Sequence, residues 1–149
     1  MDPLCERYSS FFHERGLKNT RSRSWVLHVL MHHDGVMTAE EIYQVLAGHG
    51  EDVNLSTVYR VLDLLTQRGI IEKSSLPGSA CCVFALRRQD HSHHLICLGC
   101  HKIVALRHCP LHDFETSVEA STGFTVVGHS LQLFGYCQEC RKKMEEEKK

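Results

Sequence analysis

The sequence predicts an α+β protein in two parts, and three observations carry that prediction. Residues 21–69 hold three segments whose apolar residues recur with helical period. Residues 70–86 then read as strand, turn and strand. Beyond them two widely separated C-x-x-C pairs, "CLGC" at 97–100 and "CQEC" at 137–140, leave room for a small metal-stapled subdomain.

Each element can be justified in order. "RSRSWVLHVLMHH" (21–33) puts Trp25, Val26, Val29 and Leu30 along one helical stripe. "TAEEIYQVLAGHG" (38–50) opens with Thr38 and Glu41 at capping-box spacing and closes at Gly48. "STVYRVLDLLTQRG" (56–69) has Ser56 as its expected N-cap and Val58, Val61, Leu62 and Leu65 as its apolar stripe. Thr57, Tyr59, Arg60 and Asp63 fall off that stripe. "IIEKSSL", "PGS" and "ACCVFAL" follow as strand, turn and strand. Helices followed by a two-stranded ribbon outline a winged helix-turn-helix, whose last helix would enter the major groove of duplex DNA. The basic run Arg15, Lys18, Arg21 and Arg23 ahead of the second helix would supply phosphate contacts.

Composition limits what else the chain can be. Its 149 residues suit one large domain or two small ones, and 42% hydrophobic content suits a globular protein. A net charge of −1 excludes a global basic field, so any attraction to nucleic acid must be local. No apolar run approaches the roughly 18 residues of a membrane span, and "MDPLCERYSS" lacks the basic-then-apolar signal pattern, so a soluble cytoplasmic protein is expected. In such a reducing compartment, eight cysteines beside twelve histidines point to metal instead of disulfides. Cys97, Cys100, Cys137 and Cys140 have the pairing of a closed tetrahedral structural zinc site. Cys81 and Cys82, neighbours in an expected strand, should point to opposite faces and serve as small core hydrophobes.

The motifs "LKNTRSR", "TAEEIYQVL", "LSTVYRVLDLLTQRGII", "HSHHLICLGCHKIV" and "GHSLQLFGYCQEC" together resemble the ferric uptake regulator family of bacterial metal-responsive repressors, from about residue 7 to residue 142. The resemblance implies a DNA-binding domain over 1–86, a hinge over 87–93, and an α/β dimerisation and metal-binding domain over 94–149 that carries the four-cysteine zinc. It implies a homodimer on double-stranded operator DNA and no membrane partner. It places Tyr59 and Arg60 at the DNA, and Ser56, Thr57, Lys18 and Arg21 complete the expected contact set.

By position in the family, a second, regulatory site would take His91 and His93 from the hinge, His112 from the following helix and His129 from a later strand. The helix position is more often glutamate in the family. His129 shares an alternating face with Leu131 and Leu133, which also argues for an inward side chain. The family's further regulatory site looks dismantled, since its positions hold Met37, Ala85, Ser92 and His94. A third site could instead combine His94 with Glu72, and Cys109 in "RHCPLHDF" resembles the Cys-Pro of some zinc-responsive members, although Pro110 reads equally well as a first helical residue. A nitrogen-rich sphere suits zinc or nickel better than manganese, which favours the zinc uptake regulator branch, with an iron regulator as the alternative. A zinc hydrolase, the rival from another class, would need an open water position and a carboxylate base, and neither is evident here.

Overall fold

The computed structural model describes residues 2–87 and 93–148, and the chain divides into two compact units, Met1–Arg87 and Arg88–Lys149. The first unit holds α1 (Pro3–Glu14), α2 (Arg21–Met31), α3 (Ala39–Gly48), α4 (Leu55–Gln67), β1 (Ile71–Ser75) and β2 (Cys82–Leu86). Periodicity does not pick out α1. Its buried face is only Tyr8 and Phe12, and its start is set by Asp2, whose side chain accepts from the Leu4 N–H. The α3 capping box forms in full: the Thr38 hydroxyl accepts from Glu41 N–H, and the Glu41 carboxylate accepts from Thr38 N–H at 2.8 Å.

One cap differs from the expected one. Helix α4 starts one residue before Ser56, and Asn54 caps it, its Oδ1 accepting from Thr57 N–H at 2.8 Å and from the Thr57 hydroxyl at 2.9 Å. A cap must stand just outside the first helical residue, so Ser56 falls inside the first turn. The stripe Val58, Val61, Leu62 and Leu65 is buried as its spacing predicts, against Val26, Leu27, Ile42, Leu46 and Phe12. Burying each such side chain stabilises by roughly 1.5–3 kcal/mol, and this fixes the opposite face of α4 outward. Strands β1 and β2 pair antiparallel from Ile71↔Leu86 to Ser75↔Cys82, and Met37 exchanges two backbone hydrogen bonds with Phe84. The ribbon is thereby tied to the start of α3.

Of Cys81 and Cys82, only Cys82 packs against the core. Cys81 is exposed and lies ahead of β2, and Cys82 is half-buried.

The second unit holds β3 (His93–Cys97), β4 (Ile103–Leu106), α5 (His112–Thr122), β5 (Gln132–Gly135) and α6 (Gln138–Glu147). The sheet order is β4-β3-β5, with β3 antiparallel to β4 and parallel to β5. Central β3 carries the most buried side chains of the sheet, His93, Ile96 and Cys97. Val104, Leu95 and Leu133 are register partners in one row across the three strands. Val104 and Leu133 are nearly half exposed, at 47% and 46%, and Val104, Leu95 and Tyr136 line an apolar cleft of about 210 Å³. Helix α5 buries no residue, leaves Phe114 exposed, and ends at Gly123 in the left-handed conformation that glycine adopts at least cost. No helix among the described residues is long and apolar enough to cross a membrane.

Candidate metal centres and the outward face of α4

The four-cysteine site is assembled from the ends of elements. Cys97 closes β3, Cys100 sits in the turn that follows, Cys137 caps α6 and Cys140 lies in its first turn. Their four sulfurs lie within 4.8 Å of one another, and Cys100 Sγ is 3.8 Å from Cys137 Sγ. Tetrahedral zinc at about 2.3 Å from each sulfur needs ligand edges of roughly 3.8 Å, so the donor set fits that ion. Backbone N–H groups point at the sulfurs: Cys137 N to Cys97 Sγ at 3.3 Å, Cys100 N to Cys97 Sγ and Cys140 N to Cys137 Sγ, both at 3.5 Å. Burial pushes the Cys97 thiol up, but the N–H groups of Cys100, Cys137 and Gly99 outweigh it and hold the thiol at about 6. The Cys140 thiol is pushed up to about 12, first by its hydrogen bond to Cys137, then by burial and by Cys97 and Cys100. The Cys97 thiolate therefore forms readily, and Cys140 resists joining it until a cation balances the charge. Gly99 is part of this design. A Cβ at that position would stand 2.7 Å from Cys140 Sγ and 2.9 Å from Cys140 Cβ, which no side chain tolerates.

A second group brings together His93, Cys109 and His129. His93 Nε2 is 3.1 Å from His129 Nε2, and Cys109 Sγ is 3.3 Å from each of these nitrogens. Those separations approach the edges of roughly 3.3–3.6 Å that a tetrahedral zinc imposes on nitrogen and sulfur ligands. His93 is buried, while Cys109 and His129 are half-buried. On its other ring nitrogen His129 bonds to the Glu115 carboxylate, which fixes the ring's orientation.

This group overlaps the expected quartet without reproducing it. His93 and His129 are in it, and His91 lies outside the described residues. His112 is not brought to it. It opens α5 on the exposed side, its carbonyl accepting from the Thr116 hydroxyl at 3.2 Å. The helix starts at His112, with Pro110 in the turn before it, so Cys109 stands outside the helix and Glu115 follows His112 by one turn. The alternating face proposed for His129 also breaks. Strand β5 begins at Gln132, and Leu133 is exposed while His129 points inward. Of the residues proposed for a third site, Glu72 sits on β1 with its carboxylate 3.7 Å from Arg87 Nε. His94 is half-buried on β3 of the other unit, and neither joins a third group among the described residues.

The outward face of α4 presents Ser56, Tyr59 and Arg60 to solvent, with Thr57 half-buried and its hydroxyl engaged by Asn54. Tyr59 is 41% exposed, and its phenol donates to Glu40 Oε1 at 2.7 Å, a bond that, together with burial, pushes the phenol's ionisation up. Lys18 is exposed, and its backbone carbonyl accepts from the Arg23 guanidinium. Arg21 is spoken for: two parallel bonds of 2.7 Å join it to Glu51, which raises its proton affinity further, and Asp2 lies 3.4 Å away. Sequence reasoning did not find Glu40, Glu51, Gly99 or Glu115. For Glu115 a signal existed, an acid one helical turn beyond a histidine.

The chain matches the model of the ferric uptake regulator family over residues 14–134. The ferric uptake regulation protein of Escherichia coli K12 is 37% identical over 130 residues, covering 85% of this chain and 87% of that protein. That of Campylobacter jejuni is 32% identical over 144 residues, covering 95% and 91%. The crystal structure of the Vibrio cholerae ferric uptake regulator superposes with a TM-score of 0.73 at 32% identity, covering 88% of this chain and 99% of that one. With a matching family model and relatives above 30% identity across their length, this chain belongs to the ferric uptake regulator family: it is a metal-dependent transcription regulator that binds DNA, and not an enzyme.

Proposed function

We propose that this chain is a zinc-responsive repressor of metal-uptake genes, which senses the ion through His93, Cys109 and His129 and binds operator DNA as a homodimer through Tyr59 and Arg60 of α4. The observation that carries the zinc reading is the thiol of Cys109 between two imidazoles, with Glu115 orienting one of them. One thiolate with two imidazoles is a borderline-soft set that suits zinc better than ferrous iron. An ion held there would join β3, the segment ahead of α5 and the segment ahead of β5. Because β3 starts at the end of the expected hinge, an ion on His93 would act next to that hinge. A ligand that prefers the operator-competent arrangement a hundredfold shifts that equilibrium by about 2.7 kcal/mol. The four-cysteine site supplies a separate, structural zinc, whose binding energy contributes to folding.

The apolar row Val104, Leu95 and Leu133 supports the homodimer, because a second copy would cover it. Two α4 helices would then meet half-sites a helical turn or more apart. The iron reading also has support, since the E. coli and C. jejuni relatives are named ferric uptake regulation proteins.

Operator affinity measured against buffered free zinc and free ferrous iron tests the proposal. For the native chain, zinc should act at far lower free concentration than iron. Cys109→Ser and His129→Ala should each lose the zinc response while keeping the four-cysteine zinc. Native-like zinc curves for both variants would place the sensor elsewhere, and a response to iron alone would select the iron reading. In the same assay Tyr59→Ala should weaken operator binding with metal content unchanged.

A further inference from the structure

We propose that Cys81 and Cys82 form a two-thiolate site for one soft monovalent cation of the copper(I) class, and that filling it weakens operator binding by charging the surface beside Tyr59. Cys81 and Cys82 line one cleft of about 300 Å³ together with Glu40, Tyr59, Lys73 and Phe84. Neither thiol has a hydrogen-bond partner among the described residues, and both act electrostatically on the Tyr59 phenol. Cys81 is exposed, so an ion can reach the pair from solvent.

The chemistry of adjacent cysteines narrows the ligand. Neighbouring Cα atoms are about 3.8 Å apart across a trans peptide, whereas disulfides prefer roughly 4.4–6.8 Å, so direct S–S closure would strain the backbone. A two-coordinate ion sits between the sulfurs and lets them stay apart. Soft thiolates select copper(I) over harder ions. Hard oxygen-seeking cations have no such preference for this pair.

The charge balance gives the consequence. Two neutral thiols bind one monovalent cation and release two protons to solvent, so the site passes from zero to −1. That charge arrives beside a phenol whose hydrogen bond to Glu40 already marks an acidic neighbourhood. A negative charge at a surface that meets phosphates opposes association. This second half rests on the reading that Tyr59 faces the operator; the first half does not.

Zinc-loaded full-length chain is titrated without oxygen with copper(I) held by the chromogenic chelator bicinchoninate, and operator binding is followed by fluorescence anisotropy. The native chain should retain one more equivalent of copper than Cys81→Ser/Cys82→Ser, with zinc content equal in both. Cys81→Ser alone, a change at an exposed position, should lose the same equivalent. One equivalent of copper should weaken operator binding about tenfold in the native chain and leave the double variant unaffected. Equal copper retention in native and variant chains overturns the site. Undiminished operator binding by the copper-loaded native chain, where Tyr59→Ala still weakens it, overturns the coupling and leaves the reading of α4 intact. If Tyr59→Ala changes nothing, the reading of α4 fails, and the copper count still decides the site.

Discussion

Cys109 and Glu115 show what a single residue can change in a candidate metal site. Family position assigns the helix ligand to His112, yet the side chain that reaches His93 and His129 is Cys109, just ahead of α5. Linear spacing could not separate these two, because the choice depends on where α5 begins. Pro110 is compatible with a helix start at residue 110, and the actual start at His112 leaves Cys109 free of helical geometry. By contrast the cysteine quartet was legible, since C-x-x-C spacing by itself forces a knuckle and two knuckles complete a tetrahedron. The carboxylate behind His129 was not legible, because such partners are set by tertiary packing. Glu115→Gln keeps the shape and removes the charge. It should weaken metal binding at the histidine–cysteine site roughly 10- to 100-fold and leave the four-cysteine zinc untouched. Chelator competition with a zinc indicator, resolving the two classes of site, measures this directly.

At the scale of elements, local signals located α2, α3, α4 and both strands of the ribbon, each to within a few residues. Their apolar stripes and the Thr38–Glu41 box are properties of short sequence windows, which is why they could be read. Helix α1 escaped because two large aromatics anchor it, too few to establish a period. The cap of α4 was misplaced by two residues, since both Asn54 and Ser56 are good caps and the choice depends on where the burial of Val58 and Leu62 sets the helix phase. Asn54 now has a defined job: it holds the first turn of the helix whose outer face carries Tyr59. Asn54→Ala should cost about 1 kcal/mol of stability, visible as a lower thermal midpoint. Operator affinity should fall with it, and metal content should stay constant. An unchanged midpoint would mean that Ser56 or solvent replaces the cap.

The whole molecule leaves an apolar surface open on its second unit. Val104 and Leu133 flank Leu95 on one sheet row, Phe114 stands out from α5, and Phe124 follows the helix at 74% exposure. Scattered apolar residues need no explanation, but a row with an adjoining cleft does. If a second copy covers it, a charge in the row should separate the copies. Leu133→Glu is expected to shift the chain from dimer to monomer in sedimentation while the far-ultraviolet circular dichroism and the four-cysteine zinc persist. Operator binding should then lose most of its affinity, because one α4 reads only one half-site. A Leu133→Glu protein that sediments as a dimer would move the interface to another face.

Strand β3 is five residues long, with His93 at one end and Cys97 at the other. With zinc on the four cysteines it would work as a tether with one end pinned in advance. Once thiolate zinc has anchored Cys97, the conformational entropy of the strand is already spent when a second ion arrives, so capture at His93 has less disorder to overcome. On the proposed reading, sensitivity to fluctuating metal would be set partly by an ion that does not itself fluctuate. Stripping the thiolates should blunt the response of a histidine site whose own ligands are intact.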